Sequence, residues 1–353
     1  MQNIKSHTAL RGIAAICVVY GHYAAVFARD IGGYDFFIDR GYLGVDFFFL
    51  LSGFILTMVY AHSFADGVTP RLWGQFLQRR LARIYPLHVV TLLAVVVLLR
   101  FKVPATDFGI FGLNLGLVQA WGFTDRFLFN APSWSISCEF AAYLVFPFLM
   151  VALRHRFAPG VMLGGAALAY AMLWRLGGGS LDLDAIGRDH AMLRVVAAFP
   201  IGMLLALASK RVRLEQPGAI NLMQGAALIG FFAAVWLGMP DIVLVLPLAA
   251  IIFVTVPQSG FLSRMLGDKR LTLLGDLSYG IYLIQWPVML LMYNLRPKLE
   301  PFVQGPMLEI AALVIFLVIL MALSFASFHG FEKPIMRWAR QERSDRGEFG
   351  LNR

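Results

Sequence analysis

Hydrophobic residues fall in long blocks along this chain, and short polar segments separate the blocks. A helix needs about 20 consecutive apolar residues to cross a bilayer, and ten blocks approach or reach that length. They predict spanning helices at roughly 9–27, 42–61, 85–100, 134–153, 160–175, 192–208, 219–237, 241–256, 277–293 and 307–328. A membrane β-barrel would instead show short segments of alternating polarity. The pattern therefore predicts an all-α, polytopic transmembrane helix bundle.

A further apolar segment, 109–121, is short and contains Asn114 and Gln119. If it does not cross the membrane, both termini are cytoplasmic and 20 of the 30 Lys and Arg residues lie on the cytoplasmic side, as the positive-inside rule favours. If it crosses, the later loops change sides and the clusters at Lys210 and Lys333 lie outside. We therefore expect 109–121 to be a re-entrant or interfacial segment.

Composition agrees with a membrane protein. Of 353 residues, 59% are hydrophobic and 14% are charged, whereas soluble domains carry about 25% charged residues. The net charge of +9 is spread over short segments between apolar blocks, so we expect contact with the lipid bilayer and no nucleic-acid partner. Cys17 and Cys138 lie in apolar segments, and neither a disulfide framework nor a metal site is expected.

The chain divides into a predicted transmembrane domain, 1–340, and a basic cytoplasmic tail, 341–353. The first apolar block has Arg11 at its start and no A-x-A-like cleavage site near its end. We therefore expect it to be a retained helix rather than a signal peptide. No appended soluble domain is evident.

Arg11 and His22 are the unusual residues of the first predicted helix. They are eleven positions apart, which corresponds to roughly 16 Å along a helix and to faces within about 20° of each other. Ionisable groups in a membrane segment often mark a functional cavity. The alternatives are that Arg11 extends to the membrane surface and that His22 makes a structural hydrogen bond between helices.

Two acids could act with His22. Asp46 stands at the outer end of the second span, and Glu139 follows Trp134–Cys138 inside an apolar block. Either carboxylate could orient an imidazole, as acids do in hydrolase triads. Asp46 could equally be a solvated acid at a helix end. Cys138 could accept an acyl group, although a packing role is more common for such a residue.

Arg80 and Arg83 precede the third span with a spacing of three residues. On a helix they share one face and could bind phosphates together. The alternative is a cluster that only orients the helix in the membrane. Tyr282 and Gln285 are polar residues inside a later span, and both could be structural.

Six short motifs, in this order, resemble those of the membrane-bound acyltransferase-3 family, whose members O-acylate bacterial cell-surface and exported carbohydrates. They are R-x10-H, G-V-D-F-F-F-L-L-S-G-F, R-x-x-R-I-Y-P, W-S-I-S-C-E, L-S-Y-G-I-Y-L-I-Q-W-P and F-E-K-P. The resemblance extends from Arg11 to about Pro334. Two departures are Gln285, where many members have His, and Phe140-Ala141-Ala142, where more polar residues often follow the Glu. We expect no counterpart of the esterase-like domain that is fused to some relatives.

The resemblance implies that cytoplasmic acyl-CoA is a co-substrate rather than a tightly bound cofactor. It also implies an acceptor hydroxyl on an extracytoplasmic carbohydrate or glycolipid. The implied catalytic residues are His22, Asp46 and Glu139. The implied donor-binding residues are Arg11, Arg80, Arg83 and Tyr85, and the candidate acceptor-binding residues are Trp134, Ser135, Tyr282 and Gln285.

We therefore expect a multi-pass O-acyltransferase of a bacterial inner membrane that moves an acyl group, foremost acetyl. His22 would act as a general base, and an acyl-histidine relay is the variant. The alternative from another class is a transporter in which His22, Asp46 and Glu139 form a proton relay. A third possibility is a non-catalytic membrane partner built on the same scaffold.

Overall fold

The computed structural model describes residues 4–27, 40–99, 104, 107–212, 215–302 and 305–344. Its α-helices are α1 Lys5–Phe27, α2 Leu43–Tyr60, α3 Pro70–Leu98, α4 Phe108–Leu115, α5 Trp134–Ala152, α6 Ala158–Gly177, α7 Leu183–Ile186, α8 Met192–Arg211, α9 Pro217–Trp236, α10 Asp241–Val254, α11 Phe261–Leu266, α12 Lys269–Leu299, α13 Pro306–Ser327 and α14 Lys333–Ser344. A π-helical turn, Phe328–Glu332, joins α13 to α14. No β-strand occurs within these described ranges.

Each of the ten predicted spans coincides with one helix. Eight helices are long and apolar enough to cross a membrane: α1, α2, α3, α5, α6, α8, α9 and α13. The other two predicted spans lie in α10, a shorter apolar helix of 14 residues, and in α12, a 31-residue helix with basic residues at both ends. The prediction of an all-α, polytopic membrane bundle is confirmed.

The segment 109–121 does not cross the bilayer. Its helix, α4, has eight residues and is about 12 Å long, whereas the hydrocarbon core is about 30 Å thick. Beyond α4 the chain turns, and the Gln119 amide donates to the carbonyl and hydroxyl oxygens of Ser133, both at 3.1 Å. The segment therefore packs against the start of α5.

Helix directions give a second test of this topology. Ser52 of α2 contacts Glu139 of α5, and further along the same helices Thr57 contacts Met150. The two helices therefore run parallel. An additional crossing between α3 and α5 would make them antiparallel, so the directions agree with a segment 109–121 that turns back.

Small residues bring α1 and α12 into close contact. A Cβ atom on Gly275 would lie 1.8 Å from the Thr8 carbonyl oxygen, and one on Gly12 would lie 2.6 Å from the Gly275 nitrogen. Such close backbone approach is typical of packed membrane helices. The parallel pairing continues to His22 and Gln285, so both unusual residues of α1 face α12.

The division into a transmembrane domain, 1–340, and a tail, 341–353, stays a prediction. α14 continues to Ser344, so the backbone remains helical across the expected boundary at 340/341. The rest of the predicted tail, 345–353, lies outside the described residues.

Candidate active site

A cavity lies between α1, α2, α3, α5 and α12. Its lining includes three arginines and one carboxylate: Arg11, Arg80, Arg83 and Glu139. Apolar side chains, chiefly from α2, form much of the remaining wall: Phe48, Phe49, Leu51, Ile55, Leu56, Ile84 and Ile136. One basic region thus adjoins apolar surface, which suits a ligand that is anionic at one end and apolar or uncharged along its length.

Arg11 is one of the residues that line this cavity. Its Nη2 donates to the Gly275 carbonyl oxygen at 2.7 Å, and its Nε donates to the Ser278 hydroxyl at 2.9 Å. The close packing of α1 on α12 explains how the guanidinium reaches a helix backbone. These bonds hold Arg11 in the bundle, so its position agrees with the functional interpretation of the sequence.

Arg80 and Arg83 reach the same cavity from α3. The Arg80 guanidinium lies over two aromatic rings, 5.4 Å from the Tyr60 centroid and 6.0 Å from the Tyr143 centroid, and such contacts favour the cation. Its Nη2 also donates to the Tyr60 hydroxyl at 3.3 Å. Half-buried Arg83 makes no hydrogen bond or ion pair with any residue in the described part of the chain, so its donors remain available to an anion.

Glu139 lies among the arginines. Its Oε1 accepts hydrogen bonds from the Ser52 hydroxyl at 2.7 Å and from the Tyr143 hydroxyl at 2.5 Å. The expected polar surroundings of this carboxylate are therefore present. However, Glu139 makes no contact with His22, so it does not orient the imidazole directly.

Asp46 has a different partner from the one expected. Its two carboxylate oxygens accept from Arg194 of α8 at 2.5 and 3.1 Å, and both side chains are almost fully buried. Arg194 also donates to the Tyr42 carbonyl oxygen and lies 5.1 Å from the centroid of Trp134. The expected contact of Asp46 with His22 is wrong, because a bidentate guanidinium occupies the carboxylate.

Arg194 is a buried charged residue whose pairing with Asp46 was not predicted from the sequence. It stands two residues inside the predicted span 192–208. The available signal was charge complementarity, because Asp46 is the acid of the second predicted span and Arg194 is the base of the sixth. Buried charges are normally paired.

His22 is connected to the cavity lining through Gln285 and Tyr282. Its Nδ1 is 3.0 Å from the Gln285 Oε1, and the Gln285 Nε2 donates to the Tyr282 carbonyl oxygen at 2.8 Å. The Tyr282 side chain lines the cavity. His22 thus makes the hydrogen bond between helices that the structural interpretation required, and the same bond connects it through Gln285 to the cavity lining.

The candidate acceptor residues do not all meet in one place. Ser135 and Tyr282 line the cavity, and their hydroxyls are 2.8 Å apart. Gln285 is fully buried against His22. Trp134 lies outside the cavity lining, stacked on Phe127 and against Arg194, so its position indicates a packing role.

Tyr85 also lies outside the cavity lining. Its hydroxyl donates to the Leu115 carbonyl oxygen at 3.1 Å. The contact joins α3 to α4, and the expected contact with a donor has no support from this position.

The three groups of the alternative proton relay each have different hydrogen-bond partners. His22 bonds to Gln285, Asp46 to Arg194, and Glu139 to Ser52 and Tyr143. They do not contact one another, so they form no continuous relay of side chains.

Comparison with known proteins agrees with the family resemblance of the ordered motifs. Residues 4–328 match a family model described as an acyltransferase domain of the acyltransferase-3 type. This chain belongs to that family. No solved structure matches it.

Two relatives are informative. The acyltransferase MdmB of Streptomyces mycarofaciens is 40% identical over 41% of this chain and 38% of its own length. The peptidoglycan O-acetyltransferase OatA of Listeria monocytogenes is 24% identical over 95% of this chain and 56% of its own length. The chain thus covers less than two thirds of the length of these relatives.

Proposed function

We propose that this protein is a membrane O-acyltransferase that moves an acyl group, foremost acetyl, from cytoplasmic acyl-CoA to a hydroxyl of an extracytoplasmic carbohydrate or glycolipid. One observation carries the proposal. Arg11, Arg80 and Arg83, from two helices, converge on a cavity with apolar walls, and hydrogen bonds through Gln285 connect its lining residue Tyr282 to His22. Membership of an acyltransferase family and the O-acetyltransferase name of the Listeria relative support the choice of reaction.

The donor end of the cavity would be formed by the arginines. Arg80 and Arg83 would bind the phosphates of CoA, since guanidinium groups match phosphate oxygens in geometry and charge. Glu139 offsets one of the three positive charges and leaves the lining positive. The pantetheine arm would follow the apolar side chains of α2 toward Tyr282.

His22 would carry out the proton transfer at the other end. The imidazole takes the proton of the acceptor hydroxyl while the oxygen forms a bond to the thioester carbonyl carbon. The carbon–sulfur bond then breaks, and the CoA thiolate leaves with the proton that His22 received. A positioned general base typically contributes about 10²–10⁴-fold to such a step.

Binding and transfer test the proposal separately. Purified protein should bind acetyl-CoA, and inside-out membrane vesicles of the native organism should incorporate radiolabelled acetyl from acetyl-CoA into carbohydrate. We expect His22→Ala to abolish transfer while the protein accumulates normally and still binds acetyl-CoA. Full transfer by this variant would exclude the mechanism. Substrate flux without any requirement for acetyl-CoA would instead favour a transporter.

A further inference from the structure

The hydrogen bond between His22 and Gln285 indicates which imidazole nitrogen carries a hydrogen. The Gln285 side chain is fully buried, and its Nε2 lies 2.8 Å from the Tyr282 carbonyl oxygen. A carbonyl oxygen can only accept, so the amide nitrogen of Gln285 must face it. The other end of the amide, Oε1, then faces the Nδ1 of His22 at 3.0 Å. An amide oxygen also only accepts, so Nδ1 must carry a hydrogen.

We infer that Gln285 is a positioning residue that keeps Nδ1 of His22 protonated and thereby makes Nε2 the basic atom of the reaction. The inference rests on the proposed acyl transfer and adds to it the atom that takes the proton. In a neutral imidazole one nitrogen donates and the other accepts. Fixing the hydrogen on Nδ1 therefore leaves the lone pair on Nε2.

The same bond serves both protonation states of the imidazole. Before the reaction the neutral ring donates from Nδ1 to Gln285, and after Nε2 has taken the proton of the acceptor hydroxyl the ring still donates from Nδ1. When Nε2 passes its proton to the departing thiolate, the ring returns to its first state. No amide rotation is needed at any step, and preorganised groups of this kind favour catalysis.

The Gln285 amide is itself fixed from the cavity side. Tyr282, whose carbonyl oxygen orients the amide, donates from its hydroxyl to the Pro132 carbonyl oxygen at 3.0 Å and contacts the Ser135 hydroxyl at 2.8 Å. A chain of hydrogen bonds thus connects the cavity wall to the imidazole. Because an amide does not titrate, the Gln285 side chain can accept this hydrogen bond at every working pH.

Two substitutions separate positioning from packing. Gln285→Leu keeps the side-chain bulk and removes the acceptor, and Gln285→Glu keeps an acceptor for Nδ1 in either of its protonation states. We expect Gln285→Leu to lower kcat for acetyl transfer in vesicles by about 10- to 100-fold, within the range of a general base, with the KM for acetyl-CoA within about twofold. Gln285→Glu should recover most of that loss.

Asn294→Leu on the same helix is the matched control. Asn294 also donates its amide to a backbone carbonyl, that of Leu290, but it has no histidine partner. We expect its kcat to stay within about twofold of the unmodified protein. If Gln285 only packs, Gln285→Glu places a charge in the bundle and should be no more active than Gln285→Leu. Equal activities of the two variants, or full activity of Gln285→Leu, would overturn the inference.

A direct measurement keeps the inference testable if a variant does not fold. Isotope-labelled histidine in the unmodified protein reports the protonation of each ring nitrogen, and the His22→Ala spectrum identifies which signals belong to His22. We expect a protonated Nδ1 and an unprotonated Nε2 at neutral pH. The opposite assignment would overturn the inference. Loss of transfer in His22→Ala together with full activity in Gln285→Leu would overturn only the inference, whereas full transfer in His22→Ala would overturn the proposed mechanism as well.

Discussion

Replacement of Asp46 by Asn tests whether this acid is structural or catalytic. In the structure the carboxylate is fully buried and both of its oxygens bind Arg194, whose side chain is 1% exposed. Asp46→Asn removes the negative charge at almost constant volume and leaves the guanidinium buried without a counter-charge. Loss of one partner of a buried ion pair costs about 3–5 kcal/mol.

Two remaining contacts of Arg194 do not reduce this loss. The bond to the Tyr42 carbonyl oxygen and the contact with the Trp134 ring are present before and after the substitution. The Asn amide retains one neutral acceptor, so we expect a value near the lower end, about 3 kcal/mol. This is a substantial fraction of the 5–15 kcal/mol by which folded proteins are typically stable.

The assay is the free energy of unfolding in detergent micelles, measured together with acetyl transfer in vesicles. Asp184→Asn is the control, because its side chain is 78% exposed in an ion pair with Arg188 and surface pairs contribute about 0–1 kcal/mol. The decisive variant is the double change Asp46→Leu/Arg194→Met. Apolar residues of similar volume often replace a buried ion pair at no net cost, so we expect both stability and transfer to be retained.

A stable double variant without transfer would contradict the structural assignment. It would show that Asp46 or Arg194 takes part in the reaction. An Asp46→Asn variant as stable as the unmodified protein would contradict the energetic reasoning, since the guanidinium would then tolerate the loss of its counter-charge.

Two further predictions concern the donor site and the contact between helices. Arg80→Ala and Arg83→Ala should each raise the KM for acetyl-CoA by about 10- to 100-fold, because a hydrogen bond to a charged group contributes about 1.5–3 kcal/mol. Arg79→Ala is the control, because Arg79 lies outside the cavity lining. Unchanged KM values in the first two variants would contradict the phosphate-binding role. Gly275→Ala should separate α1 from α12 and lower both thermal stability and transfer, since its Cβ would meet the Thr8 carbonyl at 1.8 Å. Gly164→Ala, whose Cβ meets open space, should change neither.

The membrane bundle was predictable because length and polarity of a segment act locally. A block of about 20 apolar residues has few stable alternatives to a spanning helix, so the ten predicted spans coincide with helices. The behaviour of 109–121 also followed from a quantity present in the sequence, the distribution of Lys and Arg between alternate loops. The predicted span 85–100 begins later than α3, which starts at Pro70, because the first turns of this helix carry Arg79 and Arg80 and are polar.

The partners of the buried polar groups were not predictable in the same way. Asp46 and Arg194 are 148 residues apart, and His22 and Gln285 are 263 residues apart. The pairing of these groups depends on how each helix is rotated about its axis and how deep it lies in the membrane. A helix that is hydrophobic on all sides shows no periodic pattern that would reveal its rotation or depth. The expected partner of Asp46, His22, was therefore chosen by chemical analogy, whereas the structure pairs Asp46 with Arg194.

The two ends of the proposed reaction depend on the same pair of helices. Arg11 bonds to Gly275 and Ser278, and His22 bonds to Gln285, so α1 contributes one group to each end and α12 holds both. Because the backbones touch at Gly275, the offset between the helices has little freedom. A fixed separation between the basic lining and the imidazole requires a donor whose anionic groups and thioester are far apart, as they are in acyl-CoA. A shift of α1 along α12 would therefore impair binding and proton transfer together.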